Sequence, residues 1–468
     1  MESRMTAMPD RELTTPQNAA RRGPDLADGP VLPTLIALSL PNVVAMTATT
    51  LLAVAETIYI GRLGSDALAG IAVVFPIIVL QQSLSNGAMG GGVSSAISRA
   101  LGAGDETRAA SMALHAVVIA LVFGLATSAM VLYAGPALWR ALGATGPGVE
   151  AATAYATVAF SGSILVWLTG LLISVLRGGG NMRAAARITL ALLAVQILTG
   201  GLLGLGVGRW PGFGMAGVGA GLVIAYGSAT VWLICHLISD RARVRLRVRG
   251  MALCRDQFAD ILSVGLMTCI SPVQTVLTVV VTTYFVAQAG PAVLAGYGIG
   301  TRLEMVMIPL AFGIGVACLP MVGTAIGRGR VARAKRVAWT GAALSAAVVG
   351  GAGLMAAVFP GLWPSVFTSD PAISGVAGAY LTRSGPAYLF FGIGLCLLFA
   401  SQGARRVGGP VLAGTMRLAL VALGGWVLSR NDAPVEAFFW LAAAGMCLYG
   451  MIAAVATWRS DWTPGAAR

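Results

Sequence analysis

Charged residues are scarce in this chain: only 10% of its 468 residues are Asp, Glu, Lys or Arg, and 57% are hydrophobic. A soluble domain carries about 25% charged residues, so the composition excludes an ordinary water-soluble protein. Runs such as 67–98, 109–139 and 210–239 contain no charged residue at all. Each is longer than the roughly 20 apolar residues needed to cross the hydrocarbon core of a bilayer. We therefore expect an integral membrane protein.

The apolar runs also lack the alternation of polar and apolar residues, in segments of about ten, that is typical of a membrane β-barrel. Glycine is abundant instead, at 62 residues. Small residues let helices pack closely in lipid, where no hydrophobic effect drives helices together. The sequence therefore predicts an all-α bundle.

Signals for catalysis and for metal binding are missing. The six cysteines form no CxxC pair, and His115 and His236 have no partner at ligand spacing. The string "GFGMAG" at 212–217 fits GxGxxG, but it lies in a loop between spans and follows no strand. There is no ATP-binding GxxxxGK[ST] motif. We therefore expect no catalytic residues, no metal site and no cofactor, and a protein that is not an enzyme.

Basic residues are distributed unevenly among the loops. A net charge of +13 would suggest nucleic-acid binding in a soluble protein, but the loops after odd-numbered spans hold only Arg62, Arg140, Arg209 and Arg430. We assign the other loop arginines, which in this interpretation include Arg177 and Arg417, to the even-numbered loops. Cytoplasmic loops carry the excess of Lys and Arg. We therefore expect both termini in the cytoplasm and no nucleic-acid partner.

The spans divide the chain into two halves. We predict a disordered cytoplasmic tail at 1–30, an N-lobe of spans one to six at 31–239, a basic cytoplasmic linker at 240–260, a C-lobe of spans seven to twelve at 261–458, and a cytoplasmic tail at 459–468. Residues 1–30 lack a hydrophobic signal core. The linker's arginines either bind anionic lipid head groups or only set the topology, and we favour the second interpretation.

The two halves repeat each other at an offset of about 225 residues. Tyr155 falls on Tyr380 and Gly178 falls on Gly403 at this offset. Each half has an even number of spans, so both halves start on the same side of the membrane. We expect twelve transmembrane helices in two six-helix lobes related by a pseudo-twofold axis along the membrane normal. Such repeats are typical of transporters whose site lies between the halves.

Several strings, taken in order along the chain, resemble the multidrug and toxic compound extrusion (MATE) family. They are "AETIYIGRLGSDALAG" at 55–70, "GAGDETRAA" at 102–110, "LRGGGNMR" at 176–183, "LAGYGIGTRLEMV" at 294–306, "VGTAIGRGRVARAKR" at 322–336 and "FASQGARR" at 399–406. The resemblance covers about 30–458. It implies a V-shaped, two-lobed exporter in the bacterial inner membrane that expels organic cations, driven by a proton or sodium gradient.

The chain departs from the family pattern at two places. Glu56 stands where the family usually has Asp, and "VQILTGG" at 195–201 offers Gln196 and Gly200 where many members have Asn and Asp. One carboxylate of the usual sodium site is therefore missing, so we expect coupling to protons rather than to sodium. The alternative function is a lipid or glycolipid flippase of the same superfamily, which would favour arginines lining the cleft. Nothing in the sequence demands more than a monomer.

Two of the 18 acidic residues, Glu56 and Glu304, lie within apolar spans. A charge at mid-bilayer costs about 2.5–3.5 kcal/mol on insertion scales, and a desolvated carboxyl avoids that cost by taking up a proton. We predict that both carboxyls couple cation movement to transport. The alternatives are that Glu56 only reaches the outer interface, and that Glu304 forms a structural ion pair near Arg302 or with Arg383.

Polar and aromatic residues within the spans are candidates for a substrate cavity. Those we select are Asn42, Thr49, Gln82, Asn86, Thr275, Thr278, Tyr284 and Tyr388. The hydroxyl and amide groups recur at helical spacing, and aromatic faces attract organic cations. Hydroxyls also pack helices together, and tyrosines also collect at membrane interfaces. The expected partners are the lipid bilayer and small organic cations.

Overall fold

The structure, a computed structural model, describes residue 26 and residues 28–240, 242–247 and 251–463. These residues are almost entirely helical, and within them a single β-bridge joins Val207 and Trp210. The twelve helices are α1 Val31–Gly61, α2 Ser65–Gly102, α3 Glu106–Ala141, α4 Pro147–Ser161 with Ser163–Gly178, α5 Met182–Leu205, α6 Gly214–Ile238, α7 Arg255–Ala287, α8 Pro291–Gly327, α9 Val331–Val358, α10 Pro371–Gly403, α11 Gly408–Arg430 and α12 Val435–Arg459.

The helices confirm the predicted all-α membrane fold. Eleven of them are each long and apolar enough to cross a membrane, and α4, which bends by 52° between its two segments, brings the number to twelve. Three further irregularities are a π-helical turn in α2 at Ser83–Met89, a π-helical turn in α9 at Ala346–Gly350, and a 3₁₀ turn in α10 at Gly385–Ala387. Such π turns are frequent at functional sites.

Equivalent glycines turn the chain in the two halves. Gly104 (φ 81°) precedes α3, and Gly329 (φ 72°) precedes α9. Both have the left-handed backbone conformation that glycine adopts without a steric cost. Asp105 then caps α3 by accepting a hydrogen bond from the backbone nitrogen of Arg108. The 225-residue repeat is therefore visible in the turn geometry.

One helix boundary differs from that expected. Helix α7 begins at Arg255, inside the predicted linker. Residues 1–25 lie outside the described part. The last residues of the predicted N-terminal tail pack against the bundle, because Leu26 is buried and Asp28 pairs with Arg328.

The described part of the predicted linker also packs against the bundle. Ala242 and Val244 are buried in the core of the N-lobe. Arg243 donates a hydrogen bond to the Gly179 carbonyl at 3.2 Å, in the turn between α4 and α5. The linker thus lies on the N-lobe.

Both described ends of the chain lie on one face of the bundle, where Leu26 and Trp462 belong to the same hydrophobic cluster. We call this face, which also carries the even-numbered loops, the basic face, and the other the opposite face. Helix α1 packs on both lobes. Leu35 and Leu38 join the C-lobe core near the basic face, and Tyr59 joins the N-lobe core near the opposite face.

The lobes contact each other near the basic face. A Cβ added to Gly102 of α2 would lie only 2.9 Å from the Thr324 Cα of α8, and Ser95 donates a hydrogen bond to the Gln402 carbonyl. Among the described residues, the two hydrophobic clusters nearest the opposite face each contain residues of one lobe only. The two lobes therefore form a V that opens toward the opposite face.

Candidate functional site: two carboxyl pockets in separate lobes

The first carboxyl pocket is built around Glu56 in the N-lobe. Its Oε1 accepts a hydrogen bond from the Gln196 Nε2 of α5 at 2.7 Å and one from the Tyr59 hydroxyl at 3.3 Å. Gln196 is only 2% exposed, and its Oε1 has no partner. Glu56 itself is half-buried. The carboxyl is thus held inside the lobe by neutral donors.

Two further tyrosines surround Glu56. Tyr155 of α4 and Tyr226 of α6 lie within electrostatic reach of its carboxyl. None of the ion pairs formed by the described residues includes Glu56, and the groups that act on it are Gln196 and Tyr59. This pocket contains no counter-charge to keep the carboxyl ionised.

The second carboxyl pocket is built around Glu304 of α8. Its Oε1 accepts a hydrogen bond from the hydroxyl of Tyr380 on α10. The hydroxyl of Tyr388, which is 1% exposed, lies beside it without a hydrogen bond of normal geometry. Arg417 of α11 is close enough to interact electrostatically. Unlike Glu56, Glu304 has a basic neighbour.

Aromatic rings pack around the Glu304 pocket. Tyr297 and Tyr380 pack edge to face with ring centres 5.2 Å apart. Phe439 of α12 lies against both rings, at 6.3 Å from Tyr297 and 5.4 Å from Tyr380. All three rings belong to the C-lobe cluster nearest the opposite face. The carboxyl is therefore shielded by hydrophobic side chains.

The structure does not support the structural ion pair considered for Glu304. Arg302 lies over the Phe367 ring at 5.2 Å, and Arg383 donates to the Ala379 carbonyl of its own helix at 2.9 Å. Neither forms an ion pair with Glu304 within the described part of the chain. The repeat places Tyr155 and Tyr380 at equivalent positions. Tyr380 donates to Glu304, and Tyr155 lies within electrostatic reach of Glu56, although the two carboxyls come from non-equivalent helices.

The predicted cavity residues of the N-lobe have mixed surroundings. Asn42 is 1% exposed and donates to the Leu38 carbonyl at 3.1 Å, and Thr49 donates to Met46 at 2.6 Å. Gln82 lines a narrow crevice between α2, α4 and α6. Asn86, in the π turn of α2, accepts a hydrogen bond from Arg177 at 2.7 Å.

The predicted cavity residues of the C-lobe do not converge either. Thr275 and Thr278 donate to carbonyls one turn earlier in α7, at 3.0 and 2.7 Å. Tyr284 is 64% exposed and its ring packs on Phe285. The structure brings Tyr388 to a carboxyl pocket but leaves Tyr284 outside both pockets.

The assignment of Arg177 and Arg417 to loops was wrong. Arg177 lies in the last turn of α4 and is 3% exposed, and Arg417 lies within α11 and is 8% exposed. Arg417 also packs over the Phe391 ring at 5.5 Å. Sequence reasoning missed Arg177 because an arginine directly after an apolar run looks like the start of a loop. It missed Arg417 because that residue was grouped with Arg405 and Arg406 in the loop before span eleven.

An ionic cluster joins the lobes at the basic face. Asp260 of α7 pairs with Arg99 at 2.7 Å, with Arg108 at 3.3 Å and with Arg405 at 3.3 Å. Arg99 and Arg108 belong to the N-lobe, whereas Arg405 belongs to the same lobe as Asp260. Two of the three pairs therefore break when the lobes separate at this face.

A second ionic contact holds the N-terminal segment. Asp28 pairs with Arg330 and Arg328, and these guanidinium groups hold the pKa of Asp28 below its usual value. Arg333 donates to the Gly29 carbonyl at 2.6 Å. Among the described residues there is no group of three His, Cys, Asp or Glu side chains placed to hold a metal ion.

Comparisons with known proteins agree with this architecture. The MatE family model matches residues 41–202 and 268–427. The chain is 27% identical over 448 residues to a probable multidrug resistance protein NorM of Deinococcus radiodurans, covering 92% of this chain and 95% of that protein. It is 24% identical over 404 residues to a FAD transporter of Shewanella oneidensis, covering 85% and 88% of the two chains.

Solved structures show the same fold. An outward-facing multidrug resistance MATE family transporter of the MOP superfamily matches with a TM-score of 0.85 at 22% identity, over 92% of this chain and 96% of that one. A MOP superfamily transporter from Pyrococcus furiosus matches with a TM-score of 0.85 at 21% identity, over 95% and 97% of the two chains. The family match, the two-lobed helical fold and the carboxyl pockets lead to one conclusion: this chain belongs to the MATE family of multi-pass membrane transporters.

Proposed function

We propose that this multidrug efflux transporter exports lipophilic organic cations in exchange for protons, by alternating access of its two lobes. The basic face then lies in the cytoplasm of a bacterial cell, with both termini on that side, because the arginine-rich loops gather there. The V opens to the outside in the state described above. The chain acts as a monomer in this proposal.

The observation that carries the proposal is the neutral environment of Glu56. Gln196 and Tyr59 donate hydrogen bonds to its carboxyl, and none of the ion pairs of the described residues includes it. A desolvated carboxyl without a counter-charge favours its protonated form. A proton bound from the outer side is released when the pocket opens to the cytoplasm, and its release leaves a negative charge that attracts a cationic substrate.

Proton coupling fits the donor set better than sodium coupling. Hard cations take several oxygen ligands, whereas Gln196 turns its amide nitrogen toward Glu56. Glu304 provides a second, weaker coupling carboxyl in this scheme, because the nearby Arg417 favours its ionised form. Tyr380 then holds the Glu304 carboxyl in place.

The substrate is expected in the cleft between the lobes. Asn42, Thr49, Gln82, Asn86, Thr275, Thr278 and Tyr388 remain the proposed polar and aromatic contacts, together with the exposed Tyr284. The NorM relative from Deinococcus radiodurans is named a probable multidrug resistance protein, which supports a drug-like substrate. A lipid or glycolipid flippase is less favoured, because none of the relatives compared above is named as one.

The experiment that tests the proposal is ethidium efflux from drug-sensitive bacteria. We expect the wild-type protein to export the dye, and Glu56→Gln to abolish export at equal abundance in the membrane. Asp66→Asn is the matched control, because Asp66 is an exposed acid in the first turn of α2. Full export by Glu56→Gln would overturn the role of Glu56, and no export by the wild type would overturn the substrate class.

A further inference from the structure

Arg177 is a buried cation without an acidic partner. It is 3% exposed, its Nη1 donates to the Asn86 Oδ1 at 2.7 Å, and its Nε has no hydrogen-bond partner. None of the six ion pairs found among the described residues includes it. Arg99 of the same lobe, by contrast, pairs with Asp260.

An unpaired charge inside a membrane protein is costly and marks a functional site by default. A neutral amide oxygen such as that of Asn86 does not compensate a full positive charge. The mechanism proposed above assigns no role to Arg177. The guanidinium of Arg177 is therefore a candidate binding group for an anion.

Two other buried polar side chains without partners lie on α2 or against it. Gln402 is 1% exposed and neither of its amide atoms has a partner, and Ser94 is 3% exposed with an unpartnered hydroxyl. A Cβ added to Gly91 of α2 would lie 2.7 Å from the Gln402 Cδ, and one added to Gly178 would lie 3.0 Å from the Ser94 carbonyl oxygen. Buried polar groups normally find partners, so these unpartnered groups require an explanation.

The repeat relates two of these groups. Gly178 and Gly403 are equivalent at the 225-residue offset, so Arg177 and Gln402 are equivalent as well, on α4 and α10. Both lie against α2 where the lobes join, and α2 contributes Asn86 from its π turn. Separation of the lobes at the basic face moves α10 away from α2 and opens this junction to the cytoplasm.

We propose that Arg177 binds an oxyanion of the transported molecule when the lobes separate at the basic face. The guanidinium offers its free Nε and a neighbouring Nη as a fork that matches a carboxylate or phosphate. The substrate class then includes zwitterions, whose cationic part meets Glu56 or Glu304. This inference rests on the proposed export function.

A matched pair of dyes tests the proposal by binding rather than by transport. Rhodamine B carries a carboxylate, and its ethyl ester has the same ring system without that charge. We expect the purified wild-type protein to bind both dyes, and Arg177→Gln to weaken binding of the carboxylate dye by about tenfold while changing the ester by less than twofold. Fluorescence polarisation measures both affinities.

Two variants keep the test decisive. Arg177→Lys keeps the charge but loses the fork, so it should restore part of the affinity for the carboxylate dye. Arg183→Gln removes an exposed arginine from the first turn of α5 and should change neither affinity. Competition by benzoate and by phenyl phosphate shows which oxyanion the site prefers.

The other outcomes overturn the proposal. If Arg177→Gln loses affinity for both dyes equally, Arg177 is a structural residue. The same conclusion follows if Arg177→Lys restores none of the preference for the carboxylate dye. Failure of the wild-type protein to bind the carboxylate dye would remove the site altogether. If the protein still exports ethidium when either result is obtained, only the anion-site proposal fails and the proposal that the protein exports cations is unaffected.

Discussion

The ionic cluster at the basic face should control which side of the transporter is open. Asp260 holds Arg99 and Arg108 across the lobe junction. We predict that Asp260→Asn shifts the protein toward a state in which the lobes are parted at the basic face. Arg99→Gln should produce a smaller shift in the same direction, because Arg108 remains paired.

The size of the shift follows from the exposure of the two pairs. The Arg99 and Asp260 side chains are only 14% and 9% exposed, and a charge-assisted hydrogen bond of this kind contributes about 1.5–3 kcal/mol. Arg108 is 49% exposed, so its pair contributes about 0.2–1 kcal/mol. Together they amount to about 2–4 kcal/mol, and every 1.4 kcal/mol is about a tenfold change in an equilibrium.

Spin labels on the basic face measure the shift. Thr107 in the first turn of α3 and Gly408 at the start of α11 are exposed positions in different lobes. The exposed native cysteines Cys235 and Cys254 are replaced by serine. Pulsed electron paramagnetic resonance should show one short distance in the parent protein. In Asp260→Asn, a majority of the molecules should show a longer distance between the labels.

Arg405→Gln is the matched control, since Arg405 pairs with Asp260 within the C-lobe and that pair survives separation of the lobes. This variant should keep the parent distance distribution. An unchanged distribution in Asp260→Asn, or the same shift in Arg405→Gln, would refute the assignment of Asp260 as the contact that holds the lobes together.

Three further predictions follow from the same structure. Gly102→Ala brings a Cβ against the Thr324 backbone and should lengthen the same spin-label distance; an unchanged distance would contradict the close contact. Tyr380→Phe removes the hydroxyl that donates to Glu304 and should cost on the order of 1–3 kcal/mol of unfolding free energy, measured by thermal unfolding in detergent; no loss would show that this bond is unimportant. The pKa of Asp28 is held below its usual value of 3.8 by Arg330 and Arg328, so its contact is present above that value and is lost as pH falls through the lowered pKa. A spin label at Pro30 should become mobile only in that acid range, whereas Asp28→Asn should be mobile at neutral pH, and equal mobility in both proteins would argue against the contact.

The architecture was predictable because its signals are local or periodic. Apolar runs fix the spans, and the 225-residue repeat fixes the two lobes. The start of α7 was not predictable, because Arg255 and Asp256 in its first turn look like loop residues. The packing of α1 on both lobes was not predictable from the sequence either. Nothing in the composition of its two halves indicates that one half contacts the C-lobe and the other half the N-lobe.

The candidate site was predictable only in part. Glu56 and Glu304 stand out because acids are rare in apolar runs. The partners of Glu56 come from other helices, and Gln196 lies 140 residues away in the chain, so only the fold brings them together. Arg177, in the last turn of α4, was missed because the positive-inside pattern assigns an arginine at the end of an apolar run to a loop. Arg417, inside α11, was missed because it was grouped with the nearby Arg405 and Arg406.

The measurement that tests the central claim most directly is proton movement in proteoliposomes containing the purified protein and a trapped pH-sensitive dye. We predict that an outwardly directed gradient of ethidium drives protons in the opposite direction through the wild-type protein, without added sodium. The same gradient should move no protons through Glu56→Gln. Proton movement that persists in Glu56→Gln, or ethidium transport that requires sodium, would contradict the account.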